Sequence, residues 1–318
     1  MDPVLRAVLL SWNWRLDVIL VLALAGTLYT TGWWRLRERT RHSRNRYQQR
    51  ARRSGRGRWP LAVGWRLVAY LLGLVFIGLA LLSPVDALGG QLFFMHMIQH
   101  LLLIMIAPPL MLIANPLPFV LWGLPATLRR RLGYALSVAL HRDSFFRRAL
   151  RSTTASGAIW LFWVISLVGW HDPTAYNAAL RNEFIHDLEH LSFFLASMLF
   201  WWHVTGAGPR IHRQHGLIGR IALVIAAVPP NMLVGIVLAF AEEVIYTYYL
   251  DVPRLWGIDV LTDQQIGGVI MWVPGSMMYL IAALILISRL LQGEENKPVL
   301  PESEWATEQT LAASGVEK

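Results

Sequence analysis

Residues 63–83 read VGWRLVAYLLGLVFIGLALLS, an apolar run in which Arg66 is the one charged residue. A helix needs roughly 20 mostly apolar residues to cross the ~30 Å hydrocarbon core of a bilayer, so this segment predicts a membrane-spanning helix. Six further stretches meet the same criterion. Together they predict an all-α, polytopic membrane bundle of about seven helices, with spans at 16–34, 63–83, 92–114, 155–171, 184–204, 217–241 and 265–288.

The composition of the 318 residues agrees with a membrane protein. Apolar residues make up 55% and charged residues 15%, whereas soluble domains carry about a quarter charged residues. The absence of cysteine excludes disulfides, thiolate metal ligands and cysteine nucleophiles. A net charge of +9 would suit a nucleic-acid binder, but the arginines lie in blocks between apolar stretches, as topology signals do. We therefore expect the lipid bilayer, and no nucleic acid, as a partner.

Basic residues alternate between the two sides of the predicted bundle. Residues 35–58 hold eleven arginines and residues 126–154 hold seven, whereas residues 84–91 hold no basic residue. Because Lys and Arg are retained on the cytoplasmic side, this distribution predicts an amino terminus outside and a carboxyl terminus inside. The predicted organisation is a transmembrane domain at 1–290, with an Arg-rich cytoplasmic loop at 35–58, and a polar acidic cytoplasmic tail at 291–318.

Five of the ten histidines share one predicted depth near the outer surface. His96 and His100 begin the third span, His171 ends the fourth, and His186 and His190 begin the fifth. The i, i+4 spacing places each pair on one helix face, about 6 Å apart along the axis. Imidazole suits copper, zinc, iron and nickel, and ionisable residues inside spans mark functional sites by default. The cluster thus predicts a metal or proton function, and hydrogen-bonded core histidines are the alternative.

Carboxylates on the outer side are candidates to accept the second N–H of a ligating imidazole. Asp86 and Asp263 are preferred, because helix phase is expected to turn Asp187 and Glu189 away from the face of the neighbouring histidines. Methionines offer soft ligands for Cu(I), although apolar packing explains most of them. Those near the relevant spans are Met95, Met97, Met271, Met277 and Met278.

Short motifs follow one another between about residues 80 and 280. They are SPVD at 83–86, MHMIQHLL at 95–102, APPL at 107–110, WHDP at 170–173, HDLEH at 186–190, and DQQIGG at 263–268 continuing to MWVPG at 271–275. Together they resemble the multi-span CtaG family of bacterial cytochrome c oxidase assembly factors.

The resemblance implies a seven-helix protein of the bacterial inner membrane, without enzymatic turnover, that helps to mature a haem–copper oxidase. Copper is the implied metal, with zinc or haem less favoured, and the implied partners are oxidase subunits and other copper chaperones. Metal-ligand roles carry over to His96, His100, His171, His186 and His190. Supporting roles carry over to Asp86, Asp263, Gln264 and Trp272.

Other functions remain open from the sequence alone. A membrane b-type haem carrier would use axial histidines from different helices, so an i, i+4 pair would leave one imidazole unused. A proton or metal transporter would continue its polar groups through the midplane, which offers little beyond two proline pairs, Asn115 and Asn231. A metal-dependent hydrolase is disfavoured because the chain has no His-Glu-x-x-His segment.

Overall fold

A computed structural model describes residues 10–54, 62–141, 144–207 and 216–295, with the backbone alone at 41–54 and 294. These residues are predominantly helical and contain no strand, so the all-α class is confirmed. The α-helices are α1 (Leu16–Ser54), α2 (Gly64–Leu82), α3 (Pro84–Gly89), α4 (Phe93–Leu101), α5 (Ala107–Ile113), α6 (Pro116–Gly123), α7 (Ala126–Ala139), α8 (Phe145–Thr153), α9 (Ser156–Trp170), α10 (Pro173–Arg181), α11 (Glu183–Thr205), α12 (Leu217–Ala239) and α13 (Val260–Glu295).

Within the described ranges, five helical segments are long and apolar enough to cross a bilayer. They are Leu16–Thr40, Gly64–Leu82, Phe93–Ile113, Leu217–Ala239 and Val260–Gly293. A sixth is added if α8 and α9, bent by 54° at a short break, form one span. Helix α11 has 23 residues, but its acids and histidines lower its hydropathy.

The proline pair in α5 produces a local change of helix type. Pro108 has no N–H to give to the carbonyl of Ile104, and a π-helical segment at Leu102–Ile106 joins α4 to α5. The freed carbonyl accepts hydrogen bonds from Trp201 Nε1, at 3.0 Å, and from the Ser197 hydroxyl. Both donors lie on α11, so the backbone repair expected inside a membrane holds α11 against the third span.

The proline pair in α12 is repaired in the same way. Pro230 leaves the carbonyl of Ala226 without its helical donor, and Trp160 Nε1 of α9 donates to it at 3.1 Å. The proline pairs therefore act as packing features that tie α9, α11 and α12 to their neighbours.

Helices α12 and α13 lie backbone to backbone. A Cβ at Gly235 would stand 2.7 Å from the Cβ of Trp272, and a Cβ at Gly268 would clash with the α12 backbone. Only glycine permits this approach, which accounts for the second glycine of the DQQIGG motif. Trp272, predicted as a supporting residue, lies at this helix contact.

Candidate metal centre

The five predicted histidines meet at one end of the bundle, where α4 and α11 begin and α9 ends. Within the pairs, the rings of His96 and His100 are 4.3 Å apart and those of His186 and His190 are 4.2 Å apart. Between the pairs, the ring centres of His96 and His186 are 5.2 Å apart, and those of His100 and His190 are 5.4 Å apart. His171 lies 6.4 Å from His100. We call these five residues the histidine cluster.

Three residues of the histidine cluster are buried, His171 and His186 are half-buried, and the inward nitrogens of all five are unpaired among the described residues. The exposed fractions of His96, His100 and His190 are 0%, 4% and 6%. The Nε2 atoms of all five rings are inaccessible and have no hydrogen-bond partner among the described residues. Buried polar groups are normally paired, so unpaired ones in a native fold point to a functional role or to binding of a water molecule or an ion.

The backbone fixes the tautomer of His171. Its Nδ1 lies 2.7 Å from the carbonyl oxygen of Leu167, one turn earlier on α9. A carbonyl can only accept, so Nδ1 carries the proton and donates it. The Nε2 atom of His171 therefore presents a bare lone pair.

A chain of two tyrosines fixes the tautomer of His96. The Tyr249 hydroxyl donates to the carbonyl of Gly89 at 2.9 Å, which uses its one proton. The Tyr176 hydroxyl, 3.1 Å away, must then donate to Tyr249. It accepts in turn from His96 Nδ1, at 2.9 Å, so His96 also presents a lone pair at Nε2.

Burial keeps this chain protonated. Both tyrosines are buried, and their burial raises the pKa of each phenol well above its usual value. The hydroxyls therefore remain neutral donors at physiological pH. Such an outer partner orients a metal-binding imidazole and raises its basicity.

Glu189 points into the histidine cluster, and the prediction that helix phase turns it away is wrong. It lies three residues after His186, and residues i and i+3 share a helix face. Its carboxylate is 0% exposed and has no hydrogen-bond partner among the described residues. Its oxygens lie 3.6 Å from His100 Nε2 and 4.0 Å from His96 Nε2. Asp187 does turn away, and it pairs with Arg15 at 2.9 Å.

Among the described residues, two groups of potential ligand atoms, drawn from the histidine cluster and Glu189, could hold a metal ion. His96, His186 and His190 form one group, and His96, His100 and Glu189 form the other. Within each group the ligand atoms lie within 4.8 Å of one another. Ligands about 2.0–2.2 Å from a shared ion lie at most roughly 4.4 Å apart, so small side-chain rotations would complete either site. His96 belongs to both groups.

The predicted supporting acid Asp263 caps a helix and does not hydrogen-bond an imidazole. Asp263 accepts the backbone N–H groups of Phe93 and Phe94 at 2.9 and 3.0 Å, which caps α4 just before His96. Arg254 donates to the same carboxylate at 2.8 Å. Asp263 thus fixes the start of the helix that carries two of the histidines.

Asp86 and Gln264 likewise bond to groups other than the histidine rings. Asp86 accepts from Gln99 Nε2 at 2.8 Å, between the two histidines of α4. Gln264 accepts from the backbone N–H of Ile245 at 2.7 Å and so holds the loop that carries Tyr249. Among the described residues, none of the four predicted supporting residues hydrogen-bonds a ring of the histidine cluster.

Replacing Tyr176 with phenylalanine should weaken divalent metal binding by roughly 10–100-fold, the usual cost of losing an outer partner of a metal ligand. The substitution removes the acceptor of His96 Nδ1–H and frees that ring to change tautomer. Zn²⁺ titration of the purified chain measures the effect.

The matched control is Tyr246→Phe, which removes a buried hydroxyl that donates to the backbone carbonyl of His171 rather than to a ring. We expect it to lower thermal stability to a similar extent and to leave the Zn²⁺ affinity unchanged. Equal losses of affinity in the two variants would contradict a specific role for Tyr176.

The fold and the site together define a class: an all-helical protein with several membrane-spanning-type helices and a buried cluster of histidines with one carboxylate. The particular family follows from comparison with known sequences. The chain belongs to the cytochrome c oxidase caa3 assembly factor family (Caa3_CtaG), whose model matches residues 27–293. All residues of the histidine cluster and Glu189 fall inside this match.

Curated relatives are similar over most of the chain. An uncharacterized protein of Mycobacterium bovis and one of Mycobacterium tuberculosis are each 28% identical over 237 residues, which is 73% of this chain and 34% of each relative. An uncharacterized protein of Mycobacterium leprae is 27% identical over 248 residues, 76% of this chain and 36% of that protein. The chain thus spans about a third of the length of these relatives. No solved structure matches it.

Proposed function

We propose that this chain binds copper at the histidine cluster and assists its insertion into a haem–copper cytochrome c oxidase. Family membership supports the link to oxidase assembly. The observation that carries the metal-binding step is the convergence of five buried Nε2 atoms without a hydrogen-bond partner among the described residues. Imidazole nitrogen is a good ligand for copper, and a haem–copper oxidase supplies the reason to choose copper over zinc, iron or nickel.

The proposed setting is the bacterial inner membrane, with seven spans and the amino terminus outside. The support is the alternation of Arg-rich and Arg-poor loops along the sequence. In this orientation the histidine cluster lies at the outer end of the bundle. The proposed partners are the oxidase subunit that receives copper and a copper chaperone that supplies it.

The dimensions of the site favour a small ion over haem. Histidine rings 4.2–5.4 Å apart leave no room for a macrocycle between them, and the adjoining cavity has a volume of about 30 Å³. A delivery site also needs an incomplete, exchangeable coordination sphere rather than a closed one. The two overlapping ligand groups provide this, because an ion can pass from one to the other while His96 remains bound.

The test is complementation of a strain that lacks this chain, with oxidase activity and copper per oxidase measured in membranes. We expect the parent chain to restore both, and a His96→Ala/His190→Ala variant present at the same level to restore neither. His141→Ala is the matched control, because His141 is exposed and lies outside the histidine cluster. Full copper loading of the oxidase with the double variant would overturn the proposed delivery step.

A further inference from the structure

A cavity lies beside the histidine cluster and extends along the helices away from it. It is bounded by α4, the π-helical segment, α9, α11, α12 and α13, and its volume is about 30 Å³. A cavity needs roughly 10–15 Å³ to hold one water molecule, so this one has room for a small ion. Its wall runs from His171, directly after α9, through Leu167 to Trp163, two helical turns deeper on α9.

Three methionines offer sulfur ligands to this cavity. Met97, Met105 and Met271 line it, and their exposed fractions are 2%, 3% and 6%. They come from α4, the π-helical segment and α13, so they reach the cavity from different elements. Thioethers are soft ligands that select Cu(I), whereas Zn²⁺ prefers nitrogen, carboxylate and thiolate ligands.

Two residues connect the cavity with the histidine cluster. His100 and His171 belong to the cluster and also line the cavity. Both nitrogens of His100 are buried and have no hydrogen-bond partner among the described residues. The backbone bond of His171 leaves its Nε2 as a lone pair. Nitrogen atoms that can bind a metal therefore lie at the boundary between the histidine cluster and the cavity.

We infer that this cavity is a second metal site that takes a soft monovalent cation, Cu(I), through Met97, Met105 and Met271 together with the boundary histidines. The inference rests on the proposed function of the histidine cluster, which it extends by an oxidation state and a second holding position. The ion enters and leaves as Cu(I), without a redox step. The histidine cluster together with Glu189 then offers the harder set of metal ligands, and the cavity offers the softer set.

The test uses the full chain in mild detergent, with Ag(I) as a redox-inert probe of the cavity and Zn²⁺ as a probe of the cluster. The variant is Met97→Leu/Met105→Leu/Met271→Leu, in which volume-conserving changes preserve packing. With Zn²⁺ already bound, we expect the variant to bind Ag(I) more than about tenfold more weakly than the parent. Its Zn²⁺ affinity should not change. Met277→Leu is the matched control, because Met277 is 54% exposed on α13.

The outcomes separate this inference from the proposed function. Ag(I) binding that is equal in the parent and the triple variant overturns the methionine site. A parent that binds Ag(I) through the methionines but no Zn²⁺ supports the cavity and sinks the proposed histidine-cluster site instead.

X-ray absorption of the Cu(I)-loaded parent gives a second readout that needs no variant. The chain has no cysteine, so any sulfur bound to copper must come from methionine. Sulfur ligands are expected, and a shell of nitrogen and oxygen alone overturns the inference.

Discussion

Replacing His96 with alanine should weaken divalent metal binding more than any other single histidine substitution, by at least about a hundredfold. Losing an outer partner of a ligand already costs roughly 10–100-fold, and His96 is proposed as a ligand itself. It belongs to both groups of donor atoms, so neither group keeps three ligands without it. The ring is fully buried, and the tyrosine chain already holds it with Nε2 free.

The structure also predicts an order among the histidines. His171→Ala should cost less than His96→Ala, because His171 belongs to neither group of donor atoms. His141→Ala should cost nothing, because His141 is exposed and outside the cluster. Zn²⁺ or Cu²⁺ titration of each purified variant, with thermal unfolding of the metal-free form as a check on folding, measures the series. A His96 variant that folds and binds metal as tightly as the His171 variant would contradict the shared-ligand arrangement.

Much of the site was predictable because helical periodicity fixes which residues share a face. The i, i+4 pairs His96/His100 and His186/His190 could present their rings together in no other regular structure. The sequence could not show that α4 and α11 are neighbours. That contact depends on Pro108, which frees the Ile104 carbonyl, and on Trp201, which donates to it from α11.

The outer partners of the histidines were not predictable, for a different reason. Tyr176 is 80 residues from His96 in the chain, and Tyr249 is 73 residues from Tyr176. Contacts at such separations depend on how the short helix α10 and the outer loop fold over the bundle, and no local pattern records this. The missed role of Glu189 is different, because the i, i+3 relation to His186 is visible in the sequence. Helix phase was the reason to rank Glu189 below Asp86 and Asp263, although its spacing from His186 is one that places two residues on the same face.

Replacing Glu189 with glutamine should have opposite effects on the metal-free and the metal-bound protein. A carboxyl group buried without a partner costs several kcal/mol if it is ionised and otherwise takes up a proton, and Glu189 has no hydrogen-bond partner among the described residues. The amide keeps the shape, removes the need to bury a charge or bind a proton, and offers N–H groups to the Nε2 lone pair of His96 and to the neighbouring His100. We therefore expect the metal-free Glu189→Gln variant to unfold at the same temperature as the parent or higher.

When a divalent ion is bound, the effect of the substitution on the unfolding temperature reverses, because the cation offsets the charge of the Glu189 carboxylate. We expect the variant to bind Zn²⁺ or Cu²⁺ roughly 10–100-fold more weakly, and therefore to gain less thermal stability from the metal. At a free-ion concentration 100 times the parent's Kd, the parent gains about 2.7 kcal/mol, and a 100-fold weaker variant gains about 0.4 kcal/mol. Unfolding temperatures of both proteins, with and without metal, test this in one experiment.

Asp187→Asn is the matched control, because that acid lies two residues away and pairs with Arg15 instead of facing the cluster. A full metal-induced shift in Glu189→Gln would mean that the carboxylate is not a ligand, and that the imidazoles alone hold the ion.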